Sequence, residues 1–296
     1  MNPVEYMCIM IYSIEQLRSY SYLFSSQTCV RAMRFSDIED ARIVCHRFDS
    51  ALSTKADISV WDYLYKIYGV LKRNYRNEYV YKNELLNAFL KNQLCTKDTV
   101  VINEFGVGGS IADVVMFNGL SKAFEIKSER DSDRRLHSQM SDYQQLFEEC
   151  YIVVPEESYR KYIEVVEEKV GVLVLSHTSR GSISLSVERN AEKNEYVNVD
   201  ILMQSVRTPE YKWMVQQING SLPDVSCFKM FDACKSILMD VPDCQLHRLF
   251  NETVKRRNIQ IGSLEKKFSF ARQLFLSLGW SRNKEDELVR LYNRII

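Results

Sequence analysis

Asp113, Glu125 and Lys127 are the residues whose types and spacing in this chain suit a reaction. They lie in NEFGVGGSIADVVMFNGLSKAFEIKSERDSDRRLHSQMSDY, residues 103–143. Side chains two apart on a strand share a face, so Glu125 and Lys127 project together, away from Phe124 and Ile126. Asp113 joins them in one register only. Asn118-Gly119 marks a turn between two apolar strands. A two-residue loop there would pair Asp113 with Phe124 and put the acid on the wrong face. A three-residue loop, Asn118 to Leu120, pairs Phe117 with Ser121 and Asp113 with Glu125. That loop, or a bulge with the same effect, is expected.

Two carboxylates and a main-chain carbonyl, with Ile126 the expected one, are hard oxygen donors that suit Mg²⁺ or Mn²⁺. Such an ion polarises a phosphodiester and lowers the pKa of its bound water. Lys127 can stabilise the attacking hydroxide and the crowded phosphate. The plainer reading makes Glu125 and Lys127 surface residues of an edge strand. The upstream acid, the turn and the alternating apolar residues favour a metal site, because a buried acid pair is costly to desolvate unless something binds it.

The elements that must position these residues follow from periodicity. Residues 1–76 read as mainly helical. RFSDIEDARIVCHRF has Ser36 as N-cap and Glu39 as its capping-box partner, and VWDYLYKIYGVL repeats the apolar stripe. Helix 78–94 turns Leu85, Leu86, Phe89 and Leu90 inward. Strands are expected at 99–105, 112–117, 122–128, 151–154 and 171–176, with a short sixth at 182–187. Gly106, Gly108 and Gly109 form a turn, and their spacing is not that of a phosphate loop. A helix over 131–148 begins at Asp131 or Ser132 and buries Leu136, Met140 and Phe147. Another helix spans 158–169. The order αβββαβαβ gives an α/β core whose third and fourth strands are parallel, joined by a right-handed helical crossover. AEKNEY is a polar linker, and helices follow it. The expected division is a helical N-terminal region over 1–76, a core over 77–190 and a helical C-terminal domain over 191–296.

The bulk numbers restrict the classes. A chain of 296 residues, 46% hydrophobic and with formal net charge zero, can bury a real core and must hold any polyanion by a local patch. Its 8 cysteines form no CxxC pair, which suggests free thiols in a reducing cytoplasm. No apolar run approaches the roughly 18 residues of a membrane span, and the apolar start VEYMCIMIY is too short and lacks a basic flank for a secretory leader.

IADVVMFN and AFEIKSERDSDRRLHSQMSDYQQLFEECYIVV resemble the PD-(D/E)xK nuclease superfamily, and most of all the bacterial group of sce7726 family proteins. The resemblance covers about residues 78–187. It implies a restriction-endonuclease-like core, a mixed central sheet flanked by helices, and Mg²⁺-dependent hydrolysis that leaves 5′-phosphate ends. Asp113 matches the motif's aspartate, with Ala112 in place of the superfamily's proline. Glu125 and Lys127 match its (D/E)xK. Gln139 and Tyr143 match the QxxxY element, expected to hold the substrate phosphate or orient the acids. The family places a further glutamate on the first core helix: Glu84 is the choice, with Glu104 on strand one and then Glu78 behind it.

Arg130, Arg134 and Arg135 start the QxxxY helix and could grip DNA phosphates, contacts that position without reading sequence; a solvated basic turn is the alternative. Lys255, Arg256, Arg257, Lys266, Lys267 and Arg272 offer either a DNA-guiding surface or the solvated face of a helical bundle. Some QxxxY relatives carry an iron–sulfur cluster. Cys227, Cys234, Cys244 and His247, with Cys45 or Cys95, do not match such a pattern and read as structural thiols. The expected partner is DNA, with RNA open, and a homodimer or a partner ATPase or helicase is also expected from the helical flanks. Defence against foreign DNA and repair are both plausible settings. The rival reading is a non-catalytic nucleic-acid-binding or scaffold protein that keeps the fold.

Overall fold

The computed structural model describes residues 12–55, 57–91, 99–129, 131–177, 183–257, 268–279 and 281–296. The chain divides into two compact units, Met1–Val80 with Arg282–Ile296, and Tyr81–Ser281.

The first unit contains α1 (Ile14–Tyr22), α2 (Ser26–Phe35), α3 (Glu39–Phe48), α4 (Ser50–Lys55) and α5 (Val60–Asn74). Ser13, Ser25 and Ser59 accept the N2 or N3 amide at the starts of α1, α2 and α5, the usual task of an N-cap hydroxyl. Tyr20 and Tyr63, both buried, donate to Asp49 Oδ2 at 2.6 and 2.8 Å. Ser36 does not cap α3. Its φ of 49° makes it the left-handed C-cap of α2, and Asp37 Oδ1 takes the Glu39 amide instead. A polar residue between two close helices can serve either end, and here the end of α2 takes it.

The second unit begins within α6 (Glu78–Lys91) and builds one six-stranded sheet: β1 (Val100–Val107), β2 (Ser110–Phe117), β3 (Ser121–Ile126), β4 (Glu149–Pro155), β5 (Gly171–His177) and β6 (Ile183–Arg189), in that spatial order. Pairs β1–β2, β2–β3 and β5–β6 are antiparallel, and β3–β4 and β4–β5 are parallel. The fold is therefore the mixed α/β sheet flanked by helices that the sequence implied. The parallel pairs are connected through α7 (Leu136–Tyr143) and α8 (Tyr159–Val165).

Helix α7 is shorter than the expected 131–148. Asp131 turns its carboxylate back to the Ser128 amide and hydroxyl, at 2.7 and 2.8 Å, which makes a turn rather than a first helical turn. Beyond Tyr143, the carbonyls of Gln144 and Phe147 accept from the Asn194 side chain. A side chain takes the acceptors that a longer helix would use.

The sheet is covered on both faces. Leu85 and Phe89 of α6 pack on one face with Val114, Phe124 and Val153. The other face carries α7 and the helices after the linker: α9 (Val199–Ser205), α10 (Thr208–Asn219), α11 (Met230–Met239) and α12 (Asp243–Lys255). Phe105, Phe117, Phe147 and Phe250 meet there with ring centroids 5.3 to 6.3 Å apart, within the range where aromatic edges and faces attract. Helix α13 (Arg272–Ser277) places Leu276 on the α6 face. The helices up to 281 thus belong to the sheet's own core, and the expected separate C-terminal domain over 191–296 does not form. The last helix, α14 (Arg282–Tyr292), belongs to the first unit, where Ser59 bridges Ile295 and Tyr292 donates to Cys29 Sγ at 3.3 Å. Among the described residues no helix is long and apolar enough to cross a membrane.

Gly171 opens β5 opposite Tyr151. A Cβ there would stand 2.3 Å from the Tyr151 ring and 2.8 Å from the Ala191 backbone nitrogen. Backbone cannot swing aside as a side chain can, so Gly171→Ala is expected to cost about 3 kcal/mol, read as a lower urea midpoint at unchanged slope.

Candidate active site

The β2–β3 hairpin delivers the register that the acids need. Phe117 pairs with Ser121 and Val114 with Phe124, so the loop is the three-residue Asn118–Leu120 and the ladder runs on to set Asp113 against Glu125. The expected register is the observed one. Where the strands part, Asp113 Oδ2 accepts the Ile126 amide at 2.8 Å. The N–H and C=O of a strand residue point to the same side, so the Ile126 carbonyl is directed toward the Asp113 side as well.

Glu125 is buried and held on three bonds. Its Oε1 accepts from Lys127 Nζ and Gln139 Nε2, each at 2.7 Å, and its Oε2 accepts from the Tyr143 hydroxyl at 2.7 Å. Lys127 also donates to Gln139 Oε1 at 3.0 Å. Gln139 and Tyr143 lie one turn apart on α7 and face the acid together. The sequence element QxxxY is thereby brought onto the same carboxylate as the ExK lysine. Burial and the neighbouring Asp113 charge push the Glu125 carboxyl above its ordinary pKa, and Lys127 and the Tyr143 hydroxyl oppose this in part. Burial and the Glu125 charge push the Tyr143 phenol far up, so it stays protonated as a donor.

Tyr143 shares its one proton between Glu125 Oε2 and the Ile111 carbonyl, 2.8 Å away. Tyr143→Phe takes that proton from both acceptors, and the Glu125 oxygen loses it in a buried position. An unfolding free energy lower by about 1–2 kcal/mol is expected, checked by denaturant titration.

Glu84 does not join this group. Its carboxylate accepts from Asn87 Nδ2 at 3.3 Å, and its charge is felt by the buried Arg272. At about 100° per residue, Glu84 lies far around α6 from Lys82, and it is Lys82 that reaches the site: its ammonium stands 3.0 Å from Asp113 Oδ1. Sequence reasoning missed it. The signal was a single lysine three, four and seven residues before Leu85, Leu86 and Phe89, on the inward stripe of the helix. Glu104 falls between the pairs Asn103–Val114 and Phe105–Ala112, level with Asp113, but is exposed with a left-handed φ of 54°. Glu78 is exposed in the first turn of α6.

Arg134 and Arg135 are exposed just before α7, and Arg130 lies outside the described residues. The C-terminal basic residues are not one open surface. Arg257 forks onto Glu210 with two 2.7 Å bonds, Arg256 stacks over Trp213, and Arg272 is buried against Asn87. Lys266 and Lys267 lie outside the described residues. Cys45 and Cys234 are buried, Cys227 and Cys244 are exposed, and all four are free thiols; Cys95 lies outside the described residues. Among the described residues no three His, Cys, Asp or Glu side chains gather as a metal cage.

A site of two carboxylates still fits Mg²⁺, which keeps several waters and commonly takes one or two protein carboxylates.

The fold and this site define a mixed α/β protein with an acid pair and two lysines gathered where the β2–β3 ladder ends. The chain belongs to the bacteriophage P4 protein cII family, whose model matches residues 71–289. No curated protein matches it. A solved structure, the SPO1766 protein of unknown function from Silicibacter pomeroyi, is similar over 50% of this chain and 94% of its own, at 15% identity and a TM-score of 0.32.

Proposed function

We propose that this chain is a Mg²⁺- or Mn²⁺-dependent phosphodiesterase that hydrolyses DNA. The observation that carries the reading is that Glu125, Lys127, Gln139 and Tyr143 form one hydrogen-bonded group, while Asp113, level with Glu125 in the hairpin register, accepts the adjoining Ile126 amide. Asp113, Glu125 and the Ile126 carbonyl would be the ion's oxygen ligands. When bound, a divalent ion supplies Lewis acidity to the phosphate and a water of low pKa.

The chain's own residues do the rest. Gln139 and Tyr143 fix the Glu125 carboxylate in one orientation, so its lone pairs are aimed before substrate arrives, and such preorganisation is where most electrostatic catalysis comes from. Lys127, held between Glu125 and Gln139, is the ammonium that faces the attacking oxygen and the charge growing on phosphate. The exposed Arg134 and Arg135, just before α7, are the proposed grips on the DNA backbone. The resemblance to PD-(D/E)xK nucleases supports the same assignment, including Asp113, Glu125 and Lys127 by position.

The test is cleavage of single- and double-stranded DNA with Mg²⁺ and with Mn²⁺, alongside RNA. Divalent-dependent cleavage lost in Asp113→Ala supports the reading. No cleavage of any substrate, or equal cleavage by the variant, overturns it in favour of a non-catalytic nucleic-acid-binding or scaffold protein.

A further inference from the structure

Both oxygens of Asp113 are engaged: Oδ2 by the Ile126 amide at 2.8 Å and Oδ1 by Lys82 at 3.0 Å. Glu125 carries Lys127 at 2.7 Å. Each acid therefore has its own ammonium, but the two lysines are placed differently. Lys127 sits two residues from Glu125 and is also tied to Gln139. Lys82 comes from another element, and its side chain is 4% exposed where Asp113 is 19% exposed. A buried ammonium is costly without a charged partner, and Asp113 is such a partner.

We propose that Lys82 is a latch on Asp113, a positioning residue that competes with a divalent cation for this carboxylate and so sets the ion concentration at which the site fills. The proposal rests on the metal-dependent reading above and adds a residue to it. An ion about 2.1 Å from a carboxylate oxygen, with an ammonium hydrogen-bonded to that same oxygen, leaves the two positive centres roughly 4–5 Å apart. Even at the dielectric of water, repulsion between charges of one and two at that separation weakens ion binding about tenfold or more. The ammonium is a point charge on a flexible four-carbon stem, so it can leave Asp113 without moving β2 or β3.

Mn²⁺ binding followed by electron paramagnetic resonance of the free ion tests this without any turnover. Wild type, Lys82→Gln, Lys82→Arg and Asp113→Asn are compared. Lys82→Gln is expected to bind Mn²⁺ about tenfold more tightly than wild type, Lys82→Arg like wild type, and Asp113→Asn at least tenfold more weakly. Binding by Lys82→Gln no tighter than wild type, with Asp113→Asn still weak, overturns the latch and leaves the metal site standing. Absence of binding in every protein, or Asp113→Asn as tight as wild type, overturns the metal site and the latch with it. A second measurement needs no variant: acetylation of Lys82 in the wild-type protein, read by mass spectrometry, is expected to speed up when Mn²⁺ saturates. An unchanged rate at saturation overturns the latch even if Lys82→Gln does not fold.

Discussion

Asp113→Ala and Lys127→Ala are each expected to lower divalent-dependent DNA cleavage by at least about 10³-fold, the scale set by losing a preorganised electrostatic group at a phosphoryl centre. The two losses have different causes. Asp113→Ala removes one of the two carboxylates proposed to hold the ion and leaves Lys82 without the oxygen it now holds at 3.0 Å. Lys127→Ala keeps both carboxylates but strips Glu125 of its buried counter-charge. The alanine at 127 is therefore expected to cost stability as well, since a buried carboxylate that loses its ammonium is strongly destabilising. Cleavage is best measured well below each variant's melting temperature, with circular dichroism confirming the fold. Glu84→Ala serves as the comparison. Its carboxylate faces Asn87 and Arg272, so divalent-dependent cleavage is expected to survive while the melting temperature falls. Loss of cleavage in Glu84→Ala equal to that in Asp113→Ala would contradict the site drawn here.

The largest stability effect outside the site is expected at Glu148. This carboxylate is buried at the other end of β3. It accepts from the Ser121 amide at 2.8 Å and from Asn251 Nδ2 at 3.0 Å, and Lys193 lies 3.5 Å away. In return the Glu148 amide donates to Ser121 Oγ at 3.1 Å. One acid thus ties the start of β3 to helix α12, whose Asn251 lies 103 residues beyond Glu148 itself. Glu148→Ala leaves the buried Ser121 amide without its acceptor, at about 1–3 kcal/mol, takes from Asn251 Nδ2 one of two acceptors while the His247 carbonyl at 3.0 Å remains, and adds a cavity. A total of about 3–5 kcal/mol is expected, or roughly 10 °C or more in melting temperature for a unit of this size. Glu148→Gln keeps one oxygen and the shape and is expected to lose less than half as much. Equal melting temperatures for Glu148→Ala and wild type would show that the Ser121 and Asn251 bonds contribute nothing net.

The strands were readable because their signals are local. Alternating apolar residues, the Asn118-Gly119 turn and Pro155 mark them, and the parity of a hairpin loop alone decides whether Asp113 shares a face with Glu125. Gln139 and Tyr143 were readable for the same reason, since four residues is one helical turn. Lys82 and Glu84 were not. Residues 81–86 of α6 are all buried, so the helix has no single polar face from which to tell which side meets the acids. What separates the two is the company each keeps: Asp113 for Lys82, and for Glu84 the Arg272 of a helix 188 positions away. No local pattern encodes that contact. The short α7 and the role of Ser36 failed likewise, through Asn194 and through a helix end competing for the same residue. The helices after the linker looked like a separate domain because composition shifts at 190, although their apolar faces complete the sheet's core.

The three-residue connection at Asn118–Leu120 also limits how this chain can diverge. Removing or adding one residue there would turn either Asp113 or the Glu125–Lys127 pair to the opposite side of the sheet, whereas changes by two would keep them together. Lengths at this tip are free to drift only in even steps, so related chains that keep the acid pair should carry odd-numbered tips, and an even-numbered tip would mark a chain in which the two acids have parted.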